Sequence, residues 1–253
     1  MLDWLAADFV GNGWSLKTLH RRLLVSSTYM QASRAIDDVG PRKIDPDNRL
    51  LWRMPLRRLD AESLRDAVLA ASGRLDTTPG GSESGEFLYE RAEVIDKKRP
   101  FFRPNRVKPD DPFYTDSRRR SIYLPVVRNA LPDLLALFDG ADPNGIVSRR
   151  NDTTVPSQSL FLMNHPFVLE NSEALARRLL GSGAASDSDR ISLGYRLTLG
   201  RSPRPRELDG VGAFLKTHME TAAGSTTVAG RRLAAWTDFC QTLFFRNEFL
   251  YVN

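Results

Sequence analysis

The residues in this sequence best suited to chemistry are arginines placed just ahead of a helix start. Arg149, Arg150, Thr153 and Thr154 lead into Val155-Pro156, and Gln158 follows one turn later. Guanidinium groups, hydroxyls and the unpaired amides of a first helical turn are the donors that hold sulfate, phosphate or carboxylate. A second cluster, Arg118, Arg119 and Arg120, lies upstream in the same stretch and is expected to pack near this helix start, enlarging the positive surface. The chemistry expected from Arg118, Arg119, Arg120, Arg149, Arg150, Thr153, Thr154 and Gln158 is therefore anion binding. The competing reading is structural: Thr154 caps the helix, and Arg149 and Arg150 pair with Asp139, Asp142 or Asp152.

No spacing in the chain points to catalysis or to a metal. Of the three histidines, His20 sits on a helical segment, His165 precedes Pro166 at a helix junction, and His218 falls near a helix C-terminus where a cationic ring is mildly favoured. None is paired with another His or a Glu at metal-ligand spacing. Asp139 and Asp142, followed by Asn144 and Gly145, lack the alternating ligands and twelfth-position Glu of a calcium loop, and Asp-Pro-Asn-Gly reads as a turn. Ser26, Ser27, Ser157 and Ser159 have no G-x-S-x-G elbow. The single cysteine, Cys240, cannot form an intrachain disulfide, a CxxC zinc pair or a CxxCH haem attachment. It shares a helical face with Leu233, Trp236 and Leu243, which predicts core. No catalytic residue and no metal ligand is assigned; whether the chain alone is an enzyme stays open, with the reading leaning against it.

Those residues must be positioned by helices. A chain of 253 residues, 41% hydrophobic and 26% charged, can bury a core. It has no apolar run long enough to cross a bilayer, and Asp3 and Asp8 in MLDWLAADFV are incompatible with a signal peptide. Leu2, Leu5 and Phe9, then Leu16, Leu19, Leu23 and Leu24 behind the N-cap Ser15, predict a helical hairpin. In LDAESLRDAVLAASG, Asp60 is the expected cap, Leu64, Val68 and Ala71 the buried stripe, and Gly73 the left-handed stop. Pro132 opens a short helix, Pro156 and Pro166 open two more, and helices follow over about 190–199 and 205–219 and around Trp236. SIYLPVV is expected as a short strand. The fold class is mainly α, a single helical domain over 1–253 with a long irregular insertion at about 74–120 that has room for one or two short strands.

The formal charge of +5 is uneven. Between 97 and 128 stand Lys97, Lys98, Arg99, Arg103, Arg106, Lys108, Arg118, Arg119, Arg120 and Arg128, opposed by Asp110, Asp111 and Asp116. That segment is a candidate anion surface or, more simply, a solvated loop with internal ion pairs. Only six of the 36 basic residues are lysine (Lys17, Lys43, Lys97, Lys98, Lys108, Lys216), and arginine is the better bidentate partner for oxyanions.

The phrases LDWLAADFV, GWSLKTLHRRLLVSSTYMQAS, DPDNRLLWRMPLRRLDAESLRDAVLAASGRL, RRSIYLPVVRN, RRNDTTVPSQSLFLMNHPFV, YRLTLGRSPRPRELDG and NEFLYVN, in that order, resemble successive motifs of the planctomycete-type domain of unknown function 1553. The resemblance implies the C-terminal part of a longer exported protein, located in the periplasm or cell envelope, with a cytochrome-c-like module and a second uncharacterised domain upstream. It implies an N-terminally truncated copy, because the family's opening motif begins a few residues before LDWLA. It implies no cofactor in this chain, haem being expected only in the upstream module, and it makes the upstream domains the expected partners.

Three function classes follow. The first is a non-catalytic or accessory module that binds anionic polysaccharide or a partner domain through its arginine-rich surface. The second is a carbohydrate-active enzyme whose carboxylates, such as Asp60, Glu62, Asp139 and Asp142, converge only in the fold. The third, least favoured, is nucleic-acid binding through the basic segment with Phe101, Phe102, Phe113 and Tyr114 interleaved.

Overall fold

The computed structural model describes residues 1–33, 39–79, 92–96, 99–102, 108–128, 130–221 and 227–252. The protein is mainly helical and divides into two compact units, Met1–Arg57 with Tyr251–Asn253, and Arg58–Leu250.

The smaller unit opens with the expected hairpin, α1 (Leu2–Gly11) and α2 (Leu16–Leu24). Gly13 (φ 66°) and Trp14 (φ 59°) are both left-handed, which reverses the chain in a few residues. Ser15 then caps α2 by accepting the Thr18 amide at 3.3 Å. Helix α3 (Val39–Ile44) runs into DPDNRLLWR, which is wound around one buried carboxylate. Asp45 accepts the Arg49 and Leu50 amides at 2.9 and 2.7 Å, and its own carbonyl accepts the Trp52 indole N–H at 2.8 Å.

The larger unit is built around α4 (Ala61–Ser72), α8 (Pro166–Leu180), α9 (Asp187–Leu199), α10 (Pro205–Thr221) and α11 (Val228–Phe244). Strand β1 (Arg57–Arg58) precedes α4. Between α4 and α8 come β2 (Ala92–Asp96), antiparallel to β3 (Arg99–Phe102), then the short helices α5 (Pro112–Thr115), α6 (Asp133–Leu137) and α7 (Pro156–Asn164). The chain ends through α12 (Asn247–Leu250) and β4 (Tyr251–Val252). The caps are those that the sequence predicts at α4: Asp60 accepts the Ser63 amide at 2.8 Å, and Gly73 is left-handed at φ 79°. The helix of Asp187–Leu199 begins with a capping box between Ser186 and Asp189 and ends at left-handed Gly200.

Leu64, Val68, Leu175, Leu179, Tyr195, Trp236, Phe239, Cys240 and Leu243 are fully buried in one continuous core. Gly194 lets two neighbouring helices, α8 and α11, close on α9, since a Cβ there would lie 3.2 Å from Leu179 and 3.5 Å from Leu243 and Phe239. Burial pushes the Cys240 thiol well above its ordinary range, so it stays a protonated filler. SIYLPVV is not a strand. Ser121–Tyr123 forms a 3₁₀ turn because the Ser121 amide and hydroxyl are both drawn to Asp66, at 2.8 and 2.7 Å, and Pro125 has no amide to offer a ladder.

A charged clamp closes the far end of this unit. Arg201 grips Glu207 bidentately at 2.7 and 2.9 Å and reaches Glu248 at 2.6 Å, while Arg246 adds a bond to Glu207 at 2.8 Å. Both guanidinium groups lie over the buried Tyr195 ring, 5.4 and 5.2 Å from its centroid. The Arg201 hydrogen bonds, opposed by burial, hold the Glu207 carboxyl far below the usual carboxylate range. Its stabilisation is therefore present above the unfolded pKa near ~4.3 and is lost as pH falls through the folded value. Glu207→Gln should lower the melting temperature at pH 7 by roughly 4–8 °C, corresponding to ~2 kcal/mol, by calorimetry. A shift under about 1 °C would show the clamp to be energetically idle.

Candidate functional site

Helix α4 carries two kinds of surface. Leu64, Val68 and Ala71 face the core, while Glu62 and Asp66, four residues apart, share a polar edge. Arg150 docks on Glu62 with a two-pronged pair, one prong at 2.9 Å, and Arg120 lies 3.7 Å from Asp66. The pair with Glu62, ahead of the opposing effect of burial, raises the Arg150 pKa. Between them Arg65, 4% exposed, donates to the carbonyls of Ser117 at 2.6 Å and Arg119 at 2.9 Å. The fold thus brings Arg120 and Arg150, from clusters thirty residues apart in sequence, to carboxylates one helical turn apart.

The remaining predicted residues divide into engaged and free. Arg119 donates to the Thr78 carbonyl at 3.3 Å and lies over Tyr123, 4.4 Å from the ring centroid. Arg118 and Arg149 are exposed, and their guanidinium groups take no partner among the described residues. Gln158 is buried and bonds the carbonyls of Leu137 and Thr153, each at 3.0 Å. Thr154 is not the helix cap: Val155 holds that position, its amide reaching Gln158 Oε1 at 3.4 Å. Thr153 bonds Asp139 instead, through its amide at 2.8 Å and its hydroxyl at 2.9 Å. Lys97, Lys98, Arg103 and Arg106, from the basic segment, lie outside the described residues.

Asp139 owes this role to backbone geometry. It follows α6 in the left-handed region, φ 60°, where glycine is usual, and the Gly140 amide closes the helix on the Leu135 carbonyl at 2.6 Å. A side chain at 140 has no room, since a Cβ would meet that carbonyl oxygen at 2.6 Å. Placing an aspartate in the left-handed region costs about 1 kcal/mol, offset here by its contacts. Arg58, from β1, bonds its carboxylate at 2.6 Å, also donates to the Thr153 carbonyl, and stands 3.2 Å from Asp152. Burial alone would raise the Asp139 pKa; the bonds from Thr153 and Arg58 outweigh it and lower the pKa.

Arginine and carboxylate are therefore paired here as structure, with partners other than those expected: Asp139 and Asp152 take Arg58, and Arg150 takes Glu62. Each carboxylate of the enzyme reading is engaged in a structural contact, with arginine or with a backbone amide. Asp60 caps α4, Glu62 and Asp139 are ion-paired, and Asp142 accepts the Asn144 amide at 2.8 Å within its turn. His165 is occupied too, its Nδ1 accepting the Phe167 amide at 3.2 Å and its ring stacked 4.1 Å from Phe161. Burial lowers its pKa. It borders a small, partly open cavity of about 60 Å³, room for about two waters. Sequence reasoning missed Arg58, Arg65 and Asp66. The alternation of Arg and Asp around the start of α4 in RRLDAESLRD was the available signal, overlooked because charges on a helix read as solvated.

A family model described as PSD1, Protein of unknown function (DUF1553), matches residues 1–215. No curated protein and no solved structure matches the chain.

Removing Arg58 would strand Asp139, whose side chain is only 12% exposed. Arg58→Ala should lower the unfolding free energy in urea by about 3 kcal/mol, and Asp139→Asn by about 1–2 kcal/mol. Because the Asp139 pKa is lowered on folding, its contribution is present above about pH 4 and lost as pH falls through the folded value. Asp139→Asn should accordingly flatten the acid limb of the stability profile. An Arg58→Ala effect below about 0.5 kcal/mol would contradict this assignment.

Proposed function

Since the chain belongs to the DUF1553 family of proteins of unknown function, which carries no assigned reaction, we propose its role from the geometry: a non-catalytic accessory module that binds an anionic polysaccharide through Arg118 and Arg149. The observation that carries this reading is the division of labour among the arginines. Arg120 and Arg150 are held by Asp66 and Glu62, so each anchors the segment that presents an exposed, unengaged arginine two residues before it or immediately before it. Exposed guanidinium groups suit repeated sulfate or carboxylate groups, which need several modest charge-assisted contacts and no deep pocket. The part-exposed ion pairs beside them occupy two of the arginines and limit the number of available cations. That the polysaccharide is met outside the cytoplasm, as part of a larger exported protein with upstream domains, rests on the family resemblance.

The test is binding to a sulfated polysaccharide such as heparin, measured calorimetrically at low and at physiological salt. Affinity should fall as salt rises. Arg118→Ala combined with Arg149→Ala should weaken it at least tenfold without moving the melting temperature by more than about 1–2 °C, since neither guanidinium supports the fold. Failure of the parent protein to bind at low salt, or undiminished binding by the double variant, would overturn the reading.

A further inference from the structure

The chain has two Asn-Gly pairs, Asn12-Gly13 and Asn144-Gly145, and both are exposed. Asparagine is chemically labile, and most so before glycine. The backbone nitrogen of the glycine attacks Cγ of the asparagine, and the new C–N bond closes a five-membered succinimide. The side-chain nitrogen leaves as ammonia, taking up the proton that the glycine amide gives up. Water then opens the ring at either carbonyl, leaving aspartate or isoaspartate. Glycine favours the step because it has no Cβ to hinder the approach and leaves the backbone free to turn. Two features of a fold oppose it: a hydrogen bond that keeps the proton on the attacking nitrogen, and contacts that hold the carboxamide away from it.

The fold treats the two pairs differently. Asn12 closes α1. Its carboxamide nitrogen donates to the Asp8 carbonyl at 2.6 Å and the Asp8 carboxylate at 3.1 Å, and its oxygen accepts from Arg22 at 3.4 Å. The two bonds to Asp8 point the group back along the helix, while the Gly13 amide is committed to the Val10 carbonyl at 3.0 Å. Asn144 is held far less. Its carboxamide donates once, to the Asp142 carboxylate at 3.1 Å, and its oxygen takes no partner among the described residues. The Gly145 amide lies 3.5 Å from the Asp142 carbonyl, beyond the ordinary range for such a bond. A Cβ at Gly145 would meet nothing within 4 Å, so the surroundings of that nitrogen are open to water. We propose that Asn144 is a site of spontaneous deamidation, and that Asn12 is spared by its bonds at the helix end. The product carries a new carboxylate, which takes one unit off the formal charge of +5, and its isoaspartate form adds a methylene to the main chain of the turn.

The experiment is peptide mapping by mass spectrometry on the full chain held for days at mildly alkaline pH, with the more acidic product followed by cation exchange. The peptide containing Asn144 should gain about 1 Da, divided between aspartate and isoaspartate, at least ten times faster than the peptide containing Asn12. In urea concentrated enough to unfold the chain, the two pairs should react at comparable rates, which assigns the difference to the fold. Gly145→Ala should slow the reaction at Asn144 at least tenfold. Gly145 is not left-handed and has room for a Cβ, so this variant should melt at the parent temperature. The proposal is overturned by a folded chain that gains no mass at Asn144, by an Asn12 that reacts as fast as Asn144 in the folded chain, by a rate difference that persists in urea, or by a Gly145→Ala variant that reacts like the parent.

Discussion

Everything at the candidate site depends on one helix edge. Glu62 and Asp66 project from a helix whose other stripe is packed in the core, so their positions are fixed by the burial of Leu64 and Val68. Two long loop segments that lack regular hydrogen bonding of their own are fastened to that edge by Arg150 and Arg120. Arg65 completes the attachment from the inside by satisfying the Ser117 and Arg119 carbonyls. Loops without ladders must find partners for their backbone groups somewhere, and here a buried guanidinium supplies them.

The same logic explains the turn beside it. Asp139 takes a left-handed conformation that a glycine would adopt more readily, and in return its carboxylate gathers Arg58 and Thr153. One residue ends a helix and ties together the strand before α4 and the loop before α7. Exposed pairs of this kind contribute little, whereas pairs with only about a tenth of the side chain exposed are expensive to break from one side. The arginine bias of the composition is thus partly structural: bidentate and multi-carbonyl contacts at Arg58, Arg65, Arg150 and Arg201 use a forked donor that lysine lacks.

The helical framework was legible because its signals are local. Caps at Ser15 and Asp60, the stop at Gly73, the proline starts at 156 and 166 and the stripe of Leu233, Trp236, Cys240 and Leu243 all act within one or two turns. The pairing of the arginines was not legible, because Arg150 and Glu62 are 88 residues apart and any of several carboxylates could have served equally on sequence grounds. Thr154 was misread as a cap for the converse reason. The local rule favours a threonine there, but Asp139, brought in by the fold, claims the neighbouring Thr153 and shifts the cap to Val155. SIYLPVV failed as a strand through the same kind of distant competition, from Asp66.

The central claim is that Arg150 is a structural anchor while Arg118 and Arg149 remain free for an anion. Its most direct test is Glu62→Gln, assayed for affinity to a sulfated polysaccharide. Without Glu62 the pair that fastens the segment presenting Arg149 is lost, so affinity should fall several-fold while stability drops by up to about 1 kcal/mol. Unchanged or strengthened affinity would contradict the account.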